Sequence, residues 1–245
     1  MTDFLERIQK LSPKQLAVLA LRLNNELEQA KAARSAPIAI VGMGCRFPGG
    51  IDSPDAYWRF LLEGHEAIRE VPTDRWNADD WFDTDPNADG KMSVKLGGFL
   101  DDISGFDAAS FGITPREAST MDPQQRLLLE VAWETLEHAG IAPNSLSGTD
   151  TGVFVGLCNS DHYHRVLERG AEQIDVYLAS GNASSVAAGR ISYTLGLNGP
   201  AMTVDTACSS SLVALHQAVQ SLRSGECSLA LAGGVNVICE PETMV

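Results

Sequence analysis

The sequence predicts an α/β fold, and three observations carry that prediction. From Pro37 onward, short apolar runs of strand length alternate with longer segments whose apolar residues recur every three or four positions. Glycines stand where the helical segments stop, at Gly140, Gly196 and Gly225. Residues that cap helix N-termini stand where helices start, in Ser12-Pro13-Lys14-Gln15 and Asp122-Pro123-Gln124-Gln125.

The elements follow in order. Phe4, Leu5, Ile8 and Leu11 predict a short first helix. Ser12 to Gln15 opens a second, with Leu16, Leu19, Leu23 and Leu27 on one face and Ala17, Val18, Ala20 and Leu21 widening it. Ser35-Ala36-Pro37 breaks it, so residues 1–35 form a helical segment apart from a main unit at 36–245. A helical pair this short is marginal alone in water, so its apolar stripe is expected to meet a partner rather than its own domain. Residues 38–43 read as a strand, and residues 44–113 as a turn-rich insertion holding Trp58, Trp76, Trp81 and Phe82. After the helix opened at Asp122 come a strand at 152–156, a helix at 183–195, a strand at 201–204, a helix at 210–224 and a strand at 229–237.

Bulk properties exclude several classes. A net charge of −14 argues against a nucleic-acid or anionic-membrane surface. No apolar run reaches the roughly 18 residues of a membrane span, and the N-terminus lacks a signal-peptide pattern. Five cysteines without framework spacing suit a reducing cytoplasm.

Cys208 is the candidate site residue. It lies where a strand passes through small residues into a helix marked by Leu212, Leu215, Val219 and Leu222. Unpaired N–H groups at a helix start favour a thiolate and can hold an oxyanion. The competing reading is a small core thiol. Cys45, Cys158, Cys227 and Cys239 have no comparable setting.

Other signals carry less. Gly42-Met43-Gly44 fails the dinucleotide fingerprint because Phe47 stands where the third glycine belongs. Asp85-Pro86-Asn87-Ala88-Asp89-Gly90 begins like a calcium loop, but Leu96 occupies the position of the bidentate glutamate. His162 and His164 lack an evident third ligand, so no metal is expected. Asn182-Ala183-Ser184 is a glycosylation pattern without meaning in a cytoplasmic protein. His138 and His216 read as helix residues with polar tips.

Asp205-Thr206-Ala207-Cys208-Ser209-Ser210-Ser211 resembles the active-site motif of β-ketoacyl synthase domains from modular type I polyketide synthases. Pro37-Ile38-Ala39-Ile40-Val41-Gly42-Met43-Gly44-Cys45-Arg46-Phe47-Pro48-Gly49-Gly50 resembles the start of that domain. Met121-Asp122-Pro123-Gln124-Gln125-Arg126, Gly189-Arg190-Ile191-Ser192-Tyr193 and Ala232-Gly233-Gly234-Val235-Asn236 fit it too, in the family's order. The resemblance implies most of the first half of a thiolase-like α/β fold, with N-terminal docking or linker helices before it. It implies that Cys208 carries an acyl thioester, which condenses with a carrier-bound malonyl-type extender in a polyketide or fatty-acid-type assembly line. No cofactor of its own is implied, since the phosphopantetheine arm comes with a partner acyl carrier protein. Further implied partners are an upstream synthase subunit at the N-terminal helices and a second copy in a homodimer, joined partly through the strand before the cysteine.

Cysteine rather than glutamine at position 208 points to an elongating enzyme rather than a loading-module decarboxylase. Other thiolase-superfamily acyltransferases differ in the surrounding motif. The family's two histidines lie downstream of the cysteine motif, and none of the five here matches them, so this chain alone is expected not to condense. The alternative is an inactive fragment serving docking or dimerisation. Carrier proteins are acidic, as is this chain, so docking would use local cations among Arg46, Arg69, Arg75, Arg116 and Arg126.

Overall fold

The computed structural model describes residue 8, residues 11–168, residue 170 and residues 174–245. The predicted first helix lies, apart from Ile8 and Leu11, outside the described residues. The helices are α1 (Pro13–Ser35), α2 (Pro54–Glu63), α3 (Ala78–Trp81), α4 (Pro115–Thr120), α5 (Pro123–His138), α6 (His162–Glu168), α7 (Tyr177–Asn182), α8 (Val186–Leu195) and α9 (Ser210–Ser224). The strands are β1 (Arg69–Glu70), β2 (Leu96–Gly97), β3 (Thr151–Gly156), β4 (Ala201–Val204) and β5 (Leu229–Gly234).

The central sheet is parallel, in the order β4-β3-β5. Parallel strands require crossovers, which α6 to α8 supply before β4 and α9 supplies before β5. Each residue of β3 is buried, and its alternation divides the core in two. Val153 and Val155 pack with Leu129 and Leu136 of α5 and Ile191 and Leu195 of α8. Phe154 points to the other face, against Ala214 and Ala218 of α9. The result is a helix–sheet–helix sandwich, the arrangement that covers both faces of a parallel sheet.

The caps form as the sequence predicts. Ser12 N–H donates to Gln15 Oε1 at 2.8 Å, and Gln15 N–H to Ser12 Oγ at 3.3 Å, the reciprocal capping box of α1. Asp122 caps α5 through Gln124 N–H at 2.8 Å. Gly140, Gly196 and Gly225 have positive φ at or just beyond the helix ends. Along α1, Leu16, Val18, Leu21, Leu23 and Leu27 are exposed. Arg223 of α9 donates to the Ala36 carbonyl just past α1.

Two expectations are corrected. Residues 38–43 form no strand. They lie on the C-terminal part of α5, where the Met43 N–H donates to His138 Nδ1 at 3.3 Å. A Cβ at Gly42 would meet the Thr135 carbonyl at 2.4 Å, so this segment packs by its bare glycine on the helix rather than pairing with a strand. A groove of about 800 Å³ remains between it and β5. The last strand ends at Gly234, not at 237, because the Val237 N–H turns away to Gln124 Oε1. The insertion at 44–113 also carries more than turns: the β1–β2 ribbon, three short helical pieces and a second core of Val71, Trp76, Met92 and Phe99.

Candidate active site

The three strands of the central sheet end in one row, because Gly156 is in register with both Val204 and Gly234. Ligand sites in open parallel sheets lie outside such carboxyl ends. The chain leaving β4 runs through Asp205 and Thr206 into a 3₁₀ turn, Ala207–Ser209, and then directly into α9. Cys208 sits in that turn and is exposed. This is the predicted placement, at a strand end and a helix start.

Small residues make this approach possible. A Cβ at Gly156 would lie 2.5 Å from Ser211 N, and one at Gly234 would lie 2.7 Å from Ser211 Cβ. The first turn of α9 therefore rests on bare backbone, with its unpaired N–H groups over the strand ends. Ala207 has φ of +55°, the sole non-glycine residue with positive φ among the described residues. Such backbone costs about 1–3 kcal/mol and persists where its surroundings hold it. Thr206 N–H and the Ala207 carbonyl both bond the Ser210 hydroxyl, at 2.8 and 2.7 Å. Ala207 N–H reaches Asp205 Oδ1 at 3.1 Å.

The loops beside Cys208 are tied from below by α5. Gln124 is fully buried. Its Nε2 donates to the Asn159 carbonyl at 2.8 Å, beyond β3, and its Oε1 accepts from Val237 N–H, beyond β5. Gln125 holds the other side, donating to the carbonyls of Ser180 and Ala183 and accepting from Arg190 Nε. Asp122 accepts from the Ser160 hydroxyl, and burial pushes its carboxyl above the usual aspartate range. The sequence marked this stretch as a helix start, but only the structure reveals it as the tie between loops. The glutamine pair in a first turn, where exposed acidic residues are usual, was the available signal.

The remaining candidates do not converge on Cys208. His162 is buried and bonds Asn182 Oδ1 at 3.0 Å, while the exposed His164 faces Glu242 at 3.9 Å. His65 pairs with Glu63, and His138 holds the Met43 amide. Asp85 closes its loop by accepting from Asn87 N–H. Cys239 is buried among carboxylates and its thiol is pushed far up. Burial also raises the Cys45 thiol. Among the described residues no cluster of three His, Cys, Asp or Glu could hold a metal ion. Of the five arginines considered for docking, Arg75 is buried on the Leu100 carbonyl and Arg46 forks onto Glu134. Arg126 holds the Ser104 carbonyl, and Arg69 pairs with Asp101. Arg116, paired with Asp175, keeps a largely exposed side chain.

Comparison with known proteins decides the family. Residues 35–245 match the family model described as the β-ketoacyl synthase N-terminal domain. The chain belongs to the β-ketoacyl synthase family. It is 53% identical over its whole length to a phenolphthiocerol/phthiocerol polyketide synthase protein of Mycobacterium tuberculosis, of which it spans 13%. It is 58% identical over 210 residues to the pikromycin polyketide synthase component PikAII of Streptomyces venezuelae, matching 85% of this chain and 6% of that one. Among solved structures, an oxazolomycin ketosynthase domain of Streptomyces albus superposes with a TM-score of 0.76 at 40% identity, covering 84% of this chain and 36% of that one. A ketosynthase from module 6 of the Bacillus subtilis bacillaene synthase gives 0.72 at 40% identity, with 84% and 32% covered. The ketosynthase, thiolase-like fold is thus established, and the chain spans about a third of those solved domains. Among the described residues no helix is long and apolar enough to cross a membrane.

Proposed function

We propose that this chain is the nucleophile-bearing part of an elongating ketosynthase, an acyltransferase-type condensing enzyme. The observation that carries the reading is the exposed Cys208 next to the left-handed Ala207, in the turn between the end of β4 and the start of α9. In the proposed reaction the Cys208 thiolate attacks the carbonyl carbon of an acyl thioester borne on a carrier's phosphopantetheine arm. The arm leaves as a thiolate and the acyl group stays on Cys208. A carrier-bound malonyl-type extender then loses carbon dioxide. Its enolate carbon attacks the Cys208 thioester, and the thiolate is released as the β-ketoacyl product forms. The chain's own residues supply the nucleophile and, from the Cys208 N–H, one oxyanion donor. The arm belongs to the partner acyl carrier protein and is part of the substrate.

The same reading assigns two contact surfaces. The exposed leucines of α1 fit an upstream synthase subunit. The edge strand β4, with exposed Met202 and with Tyr193 of α8 also exposed, fits a homodimer. These surfaces favour a second reading, a docking or dimerisation piece without chemistry.

Peptide mapping after exposure to a short-chain acyl thioester of N-acetylcysteamine separates the two. Acylation at Cys208, lost in Cys208→Ala, supports the enzyme reading. Labelling that survives the substitution, or that never reaches Cys208, sinks it.

A further inference from the structure

Ala207 is held in a conformation that alanine avoids, and one side chain holds it from both sides. Ser210 is the first residue of α9 and is buried. Its Oγ accepts from Thr206 N–H at 2.8 Å and donates to the Ala207 carbonyl at 2.7 Å. Those two groups flank the backbone whose φ is +55°. Together the two bonds bridge the turn at Ala207. Ser209 makes a parallel link to Thr206, but Ser209 is exposed and its side chain caps no N–H of α9. A serine whose only task was helix capping would bond an N–H two or three residues further on. Ser210 reaches backward instead, into the strained turn.

We propose that Ser210 is a positioning residue of the Cys208 elbow: its hydroxyl holds Ala207 left-handed and so sets the Cys208 thiol at the start of α9. The proposal rests on Cys208 as the acyl acceptor, deepening that reading by naming what keeps the thiol in place. Without the hydroxyl, Ala207 relaxes toward negative φ and the Cys208 Sγ leaves its position at the helix mouth. Glycine at 207 takes positive φ without penalty, so Ala207→Gly makes the brace dispensable.

The test compares wild type, Ser210→Ala, Ala207→Gly and the double variant. The readout is acylation of Cys208 by an acyl thioester of N-acetylcysteamine, together with iodoacetamide rates at Cys208 relative to exposed Cys158. The expected result is that Ser210→Ala slows both Cys208 reactions about tenfold and that adding Ala207→Gly restores them to within about twofold of wild type. An unchanged rate in Ser210→Ala overturns the proposal, as does a loss that Ala207→Gly fails to restore. Buried Cys227 reports loss of the fold. Should Ser210→Ala expose it, the comparison becomes Ala207→Gly against the double variant, where near-equal rates support the brace and a roughly tenfold drop overturns it. Wild type that is never acylated at Cys208 refutes the nucleophile assignment instead, and the iodoacetamide rates still decide Ser210.

Discussion

Gly156→Ala is the sharpest test of how the site is built. The new methyl would lie 2.5 Å from Ser211 N, 2.6 Å from Ser210 C and 2.8 Å from Ser211 Cα, all backbone atoms. Comfortable contact begins at about 3.5 Å, so α9 must withdraw from the sheet by about 1 Å. β3 cannot give way, because it is paired with β4 on one side and β5 on the other. Overpacking of this kind costs about 2–3 kcal/mol, which lowers the melting midpoint of a chain this size by about 4–12 °C. The shift also carries Cys208, and a displacement of about 1 Å in a reacting group costs on the order of a hundredfold in rate. Calorimetry and acylation of Cys208 measure the two effects separately. Gly233→Ala is the control, since a Cβ there meets nothing within 4 Å. If Gly156→Ala melts within about 1 °C of wild type and acylates at the same rate, α9 does not rest on β3 as described.

Three further predictions concern other parts of the molecule. In the native chain iodoacetamide modifies Cys158 and Cys208, while the buried Cys227 and Cys239 react only after unfolding; native labelling of Cys239 as fast as Cys158 contradicts its placement. Arg190→Met strands Glu117 and Gln125, which the guanidinium bonds at 2.6 and 2.9 Å, and should cost about 3 kcal/mol in urea unfolding; a loss below about 1 kcal/mol denies the pair its structural weight. The Asp122 carboxyl is raised above its ordinary 3.8 by burial, so the folded state binds its proton more tightly than the unfolded chain. Its contribution is therefore complete below the ordinary value and is lost as pH rises through the folded value. Wild-type stability relative to Asp122→Asn should fall as pH rises above the ordinary aspartate value, and a rise with pH reverses the assignment.

The sequence was legible where structure is local. β4 and α9 fall where an apolar run and a helical period place them, and Gly225 closes α9 in the left-handed region. The Ser12–Gln15 box is a contact within four residues, so it too can be read directly. At residues 38–43 the sequence misleads, because a short apolar run carries strand propensity but says nothing about whether an edge is in reach. Gly42 and Gly44 were the contrary signal: they let the chain lie on Thr135 and Val131 of α5. The Cys208 position was legible from its motif. Its support was not, because Gln124 joins residues 35 and 113 positions away, and a glutamine at a helix start shows no such reach in sequence.

The strain at Ala207 and the rigidity beneath it have one physical cause. A left-handed alanine persists only if relaxing it breaks more than it relieves. Relaxation would lengthen the two Ser210 bonds, each contributing about 1 kcal/mol net, and would lift the first turn of α9. Lifting that turn opens a void over Gly156 and Gly234, whose bare backbone leaves no side chain to fill it. The strand ends cannot follow the helix outward, since Gln124 fixes the loops beyond β3 and β5 to α5, and unpairing this buried amide costs about 1–3 kcal/mol more. Together these terms exceed the roughly 1–3 kcal/mol held in Ala207. The elbow is therefore stable as a unit, and any single loss among Ser210, Gly156 and Gln124 should be felt first as a misplaced Cys208 and only second as an unfolded chain.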